Sequence, residues 1–325
     1  MLSEFALSPA IFRAASYEDD SSVVADLCLR ALGPPFLDDC IVRNLHDGDW
    51  LRQILNCRDS LHPKAKELLK KLDKQKRLVS HNSIDVICPE GDEEWEKEAL
   101  ASHDQTPLTG MIFSRDSKTN RHRNNPLVDC PEKLANAGFW KDRPCSRRIP
   151  RNIEEYSSLL EPVLRHANFI AFIDPHLDPK RPGYQNFIKI LTHASLVGRK
   201  IKPIIQVHRV AWLGDGKNKL PKYDEIKEIF SKSWTDELEH QSIKLELFLW
   251  DDFHDRFVAS DLLSMTWSNG FDTTTDCRDR VTVSRLARKD QDDLQEEFQE
   301  NTTCHNRPKR FQIGASSASP LGNDI

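Results

Sequence analysis

His254, Arg256 and Asp261 lie in the stretch "WDDFHDRFVASDLLSMTWSNGFD", which runs from Trp250 to Asp272. The order is His, one residue, Arg, four residues, Asp. Those side-chain types suit attack on a phosphodiester. A neutral imidazole serves as nucleophile, or as general acid once charged. A fixed guanidinium stabilises non-bridging oxygens as negative charge develops on them. A carboxylate orients an imidazole or caps the Arg. The chain contains no H-E-x-x-H, no D-x-D-x-D and no Cys-rich ligand set, so neither a metal nor another cofactor is expected. In a chain with 30% charged residues, the same pattern also arises as a solvated turn with an ion pair. At this level both readings stand.

The flanking segments would position the trio. "IKLELFLW" (243–250) alternates with period two and reads as a strand. "RFVASD" (256–261) and "LSMTWS" (263–268) read as two more, too close together for a crossover helix. In "RFVASD", Phe257 and Ala259 share one face, and Arg256, Val258 and Ser260 the other. His254 joins the side of Arg256 if the strand begins early enough. Asn269-Gly270 then permits close approach of the backbone at the far end.

Upstream, the apolar periodicity predicts helices over 152–167, 184–198 and 222–242, and strands over 168–174 and 201–208. Helix–strand alternation followed by a meander predicts an α/β layer with a mixed sheet flanked by helices. Sites in such sheets collect at strand ends. That brings in Asp174, His176 and His208 as substrate-binding candidates, with Asn269 and Asp272 after the meander. Arg148, with Arg147 and Arg151, lies in the Arg/Pro-rich segment "RPCSRRIPR" (143–151) and could rim the cleft toward a polyanion. Each has a plainer reading: a turn cap for Asp174 and Asp272, a surface loop for His176 and His208, a solvated linker for the arginines.

The first 150 residues read as a mixed α/β or mainly helical domain. A capped helix starts at Asp19 and is expected to stop at Gly33-Pro34; another has Pro63 in its first turn and Leu68, Leu69 and Leu72 on one face. "IDVIC" (84–88) and "TGMIFS" (109–114) read as strands around a helix at 92–103. The expected organisation is an N-terminal domain over 1–150, an α/β domain over 151–304 and a flexible tail over 305–325.

The 325-residue chain has a net charge of −5, which excludes a strongly basic overall footprint for nucleic acid. No run reaches the ~18 apolar residues of a membrane span. The N-terminus lacks the pattern of a signal peptide. None of the eight Cys forms C-x-x-C, so reduced thiols and a cytoplasmic location are expected.

His254-x-Arg256-x4-Asp261 resembles the H-x-K-x4-D motif of the phospholipase D superfamily, with Arg in place of Lys. "FIDPHLDP" (172–179) resembles the strand-plus-Asp-Pro segment that opens many such domains. "HDRF" with the later "NGFD" (269–272) resembles the branch that includes the MIT-domain C-terminal domains and bacterial defence-associated proteins. The resemblance covers residues 150–300 approximately. It implies a phospholipase D-like fold and a metal-independent phosphodiesterase, a nuclease within a bacterial defence-type system. His254 would be the nucleophile, and Arg256 and Asp261 its supports. Enzymes of this superfamily use two motifs. One is present here, which implies a homodimer with both His254 side chains on one phosphate, or a subunit of a multi-protein complex. Relatives of the MIT type are binding modules. The alternative is therefore a non-catalytic module for nucleic acid, a phosphate ligand or a partner protein.

Overall fold

A computed structural model describes residues 1–17, 22–83, 87–214, 220–306 and 308–315. The chain divides into two compact units, Leu2–Pro144 and Cys145–Ile325, the latter joined by Met1.

The first unit carries a parallel sheet. Its strands are β1 (Ser3–Leu7), β2 (Cys40–Asn44), β3 (Leu78–Ser80), β4 (Gly110–Ile112) and β5 (Val128–Asp129), in the spatial order β3-β2-β1-β4-β5. Every residue of β1 is buried, as expected of a strand covered on both faces. The connections carry α1 (Ser22–Asp38), α2 (Asp49–Asn56), α3 (Pro63–Lys74), α4 (Asp92–Gln105), α5 (Arg115–Asn120) and α6 (Gly138–Lys141). Pro63 opens α3, where a missing N–H costs nothing, and Leu68, Leu69 and Leu72 are buried as their spacing predicted. The helix expected to stop at Gly33-Pro34 continues instead to Asp38, with Pro34 and Pro35 inside it. Phe36 lies beyond both prolines, fully buried and edge-on to Phe5 at 5.5 Å. Burying such a ring contributes roughly 1.5–3 kcal/mol, which offsets part of the cost of two prolines inside a helix. The N-terminal region is thus mixed α/β and not mainly helical. Ile84–Val86 of the expected strand 84–88 lie outside the described residues, and Ile87 and Cys88 are not in a strand.

The second unit carries a mixed sheet of β6 (Ser146–Pro150), β7 (Phe169–Ile173), β8 (Ile204–Val210), β9 (Lys244–Trp250), β10 (Phe257–Ser260), β11 (Met265–Trp267), β12 (Arg280–Arg285) and β13 (Lys309–Gly314). The order is β13-β9-β8-β7-β10-β11-β12-β6. β7, β8 and β9 are parallel; the other pairs are antiparallel. The helices are α7 (Ile153–His166), α8 (Ile188–Leu191), α9 (Ala194–Val197), α10 (Tyr223–His240) and α11 (Arg288–Glu297). This is the α/β layer and meander that the periodicity predicted.

Three expectations need correcting. The helix over 184–198 is broken into a 3-10 turn, α8 and α9, because His193 leaves helical geometry and caps α9 by accepting from Ser195 N. Residues 146–150, placed in the boundary segment, form β6 and pair with β12. Residues 309–314, placed in the tail, form β13 and complete the sheet beside β9. β6 and β13 are edge strands with Arg, Lys and Gln on exposed faces, so their composition resembles that of a loop. No helix among the described residues is long and apolar enough to cross a membrane.

Candidate functional site

The register of β10 against β7 decides where the motif residues go. Phe257 pairs with Ile173 and Ser260 with Ile170. Arg256 therefore faces Asp174 at one end of the ladder, and Asp261 faces Phe169 at the other. Five residue-to-residue steps of extended chain carry Arg256 to Asp261, about 17 Å. Asp261 accepts hydrogen bonds from Asn168 N at 2.9 Å, Asn168 Nδ2 at 3.0 Å and Phe169 N at 3.3 Å. It caps the start of β7 and takes no part in a cluster with Arg256.

His254 lies before β10 on an exposed segment. Because the strand begins only at Phe257, its alternation does not reach back to align His254 with Arg256. The link between the two is Arg256 Nη1 donating to the His254 carbonyl at 3.2 Å. His254, Arg256 and Asp261 thus remain three separate features.

A different set does converge. A cleft of about 360 Å³ is lined by Arg151, His176, Arg181, Tyr184, Arg256 and Asn269, with Asp272 and the backbone of Gly270. Beneath its floor lies Asp174, fully buried just past the end of β7. The Asp174 carboxylate accepts from His176 N at 2.9 Å, Tyr184 Oη at 2.9 Å and Phe271 N at 3.0 Å. Three hydrogen bonds satisfy a buried carboxylate that would otherwise be costly. Gly270 is required by space: a Cβ there would meet the Tyr184 hydroxyl and sit 2.8 Å from Asp174 Oδ2. The close approach expected at Asn269-Gly270 is present, and Asp174 is what the backbone approaches.

Arg256 Nε stands 3.8 Å from Asp174 Oδ1, too far for a hydrogen bond, and has no hydrogen-bond partner among the described residues. Arg151 pairs with Asp272, whose carbonyl also accepts from Tyr156 Oη at 3.2 Å. Arg181 Nε lies 3.7 Å from Asp178. Burial pushes the His176 imidazole below its ordinary value; Asp174 opposes this, and Arg256, Arg181 and Arg209 reinforce it. Burial and the Asp174 charge push the Tyr184 hydroxyl far up, so it remains a donor. Guanidinium groups around a small cleft suit a phosphate or another oxyanion.

Of the residues singled out in the sequence, the structure brings together Asp174, His176, Arg256, Asn269 and Asp272. Arg148 is exposed on β6 and does not line the cleft; Arg151, three residues on, does. Arg181 and Tyr184 were missed. They lie in "KRPGYQ", where Tyr184 was expected only to open the helix over 184–198 and Arg181 fell outside every expected element.

His208 lies elsewhere. It pairs with Ile173 in register, so its side chain points to the face opposite Asp174. There it is buried and stacked on Phe248 at 4.7 Å. Nδ1 accepts from Trp250 Nε1 at 3.0 Å and Nε2 faces Gln206 Oε1 at 3.1 Å. Burial pushes its imidazole down to about 3, so it stays neutral. A larger cavity of about 490 Å³ on this face is bounded by His208, Asp261 and α11. With both His208 nitrogens engaged, that cavity holds no imidazole free for chemistry. Arg209 is also buried and clamps carbonyls, donating to Leu177 O and Trp212 O at 2.9 Å each.

No family model matches this chain, and none of the curated proteins matches it by sequence. Among solved structures it is similar to TrmBL2, an archaeal chromatin protein with a novel mode of DNA binding, at 13% identity over 78% of this chain and 86% of that one. The TM-score is 0.28, and a likeness at that level bears on neither fold nor function.

Proposed function

We propose that the second unit is a phospholipase D-like module that holds a phosphate-bearing ligand in the cleft formed by Arg151, Arg181 and Arg256. The observation that carries this reading is Arg256, held on the face of Asp174 with Nε lacking a hydrogen-bond partner. Asp174 fixes the floor, Gly270 lets the backbone close over it, and the arginines supply forked donors. The test is an anisotropy titration of single-stranded DNA and single-stranded RNA oligonucleotides against wild type and Arg256→Ala, with inorganic phosphate as competitor. Saturable binding that Arg256→Ala weakens and phosphate displaces supports the reading. Equal affinity in both proteins, or no binding of either probe, overturns it.

A second reading is metal-independent phosphodiester cleavage. His176 favours it, as a neutral imidazole in the same cleft as Arg256. Attack by a ring nitrogen on phosphorus forms an N–P bond as the P–O ester bond breaks. The departing oxygen takes a proton from a second acid, which a second copy of the chain would supply through His254, and water then releases the phosphohistidine. A nuclease assay in chelator compares wild type with His254→Ala and His176→Ala. Cleavage that both variants abolish supports this reading; no cleavage by wild type, or equal cleavage by all three, removes it.

A further inference from the structure

We propose that His46, Asp49 and Cys88 in the first unit form a binding site for a divalent transition-metal ion, zinc by preference. The three ligand atoms all lie within 4.8 Å of one another. Around a tetrahedral zinc, with bonds of ~2.0 Å to N or O and ~2.3 Å to S, ligand atoms stand about 3.5 Å apart. Small side-chain rotations therefore close the set. A thiolate, an imidazole and one carboxylate form a mixed donor set of borderline softness. It suits zinc, and it does not suit magnesium or calcium.

The imidazole is oriented as a metal ligand would be. His46 is 6% exposed. Its Nδ1 lies 3.1 Å from Ser83 Oγ and 3.7 Å from Glu98 Oε1, and Glu98 is itself buried. Its Nε2 faces Asp49 Oδ2 at 4.0 Å. A carboxylate and a hydroxyl on one ring nitrogen, with the other nitrogen turned to the ligand set, is the outer-shell arrangement that fixes tautomer and ring angle in metal sites. Trp95 packs edge-on against the ring at 6.4 Å. Asp49 is held from its other oxygen by Arg52, Nη2 to Oδ1 at 2.5 Å, leaving Oδ2 toward the cluster. A proton on Nε2 also satisfies Asp49, and the Cys88 thiol donates to the Pro89 carbonyl at 3.8 Å and lies against Asp49; a metal ion would displace these protons and join all three ligands.

The backbone pays for this placement. His46, Asp47 and Gly48 have φ of 52°, 54° and 98°, three successive left-handed residues between β2 and α2. The two that are not glycine hold a conformation that L side chains rarely adopt. Asp47 N donates to His81 O at 2.9 Å and Asp47 Oδ2 accepts from Ser83 N at 3.2 Å, which pins the loop. The turn follows the carboxyl end of a parallel strand, where open α/β sheets hold their ligands.

The experiment uses the full chain, reduced and stripped with chelator, then titrated with cobalt(II), with zinc as competitor. One equivalent of cobalt per chain is expected, with a thiolate-to-cobalt charge-transfer band that zinc removes. Cys88→Ser leaves the fold intact, since Cys88 is exposed. It should abolish the band and lower zinc affinity by at least about tenfold. Glu98→Gln should keep the band while weakening zinc about 10–100-fold. Cys57→Ser, an exposed cysteine of the same unit, should behave as wild type. Absence of stoichiometric cobalt, or a band that survives Cys88→Ser, overturns the proposal.

Discussion

Arg256 faces Asp174 across the antiparallel ladder of β10 and β7, Nε to Oδ1 at 3.8 Å. The pair is near enough to feel each other's charge and too far apart to be closed by a hydrogen bond. Replacing the guanidinium removes charge-assisted donors, each worth about 1.5–3 kcal/mol. Arg256→Ala should weaken oligonucleotide binding about 10–100-fold. Arg256→Lys should not restore it, because an ammonium lacks the planar fork. Arg148→Ala, at an exposed position of β6, should leave affinity unchanged. Titrations of the three variants at one salt concentration check this.

Asp261 caps β7 through Asn168 and Phe169. Asp261→Ala should lower stability by about 1–2 kcal/mol and leave oligonucleotide affinity as in wild type. Urea unfolding measures the first and the anisotropy titration the second. A loss of binding without loss of stability would return Asp261 to the site.

Gly270→Ala should destabilise by about 1–3 kcal/mol, because its Cβ meets Tyr184 and Asp174. Tyr184→Phe in the same chain removes the nearest atom and should recover part of that loss. The double-mutant cycle in urea reads the coupling.

His208 sets a pH dependence. Its folded value is pushed down to about 3 by burial, while the unfolded chain titrates near ~6.5. Above the unfolded value neither state binds the proton, so the group has no effect there. As pH falls from ~6.5 toward about 3 only the unfolded state binds it, and stability drops by roughly 1.4 kcal/mol per pH unit. Urea unfolding at pH 7 and pH 5 should show about 2 kcal/mol from this group. His208→Gln should flatten that part of the slope.

Much of the fold was legible because its signals are local. The period-two run over 244–250, the apolar runs at 169–173 and 204–210, and the Pro63 helix are patterns that the next few residues determine. Phe257 and Ala259 share a face, as alternation requires. β6 and β13 were not legible, since an edge strand rich in Arg, Lys and Gln has the composition of a loop until a neighbour pairs with it. The continuation of α1 through Pro34 and Pro35 depended on where Phe36 finds its pocket.

The candidate site divides along the same line. The residue types were visible in the chain, and so was the glycine that the close approach at Asp174 demands. The membership of the site was settled by register. Pairing Phe257 with Ile173 sends Arg256 to Asp174 and Asp261 to the far end of the sheet, and pairing Ile173 with His208 turns that imidazole to the opposite face. Arg151 arrives from one other place in the sequence, and Arg181 and Tyr184 together from a second. Spacing along a chain constrains neighbours on one strand, whereas a cleft is assembled by hydrogen-bonded ladders between strands, whose register no single segment specifies.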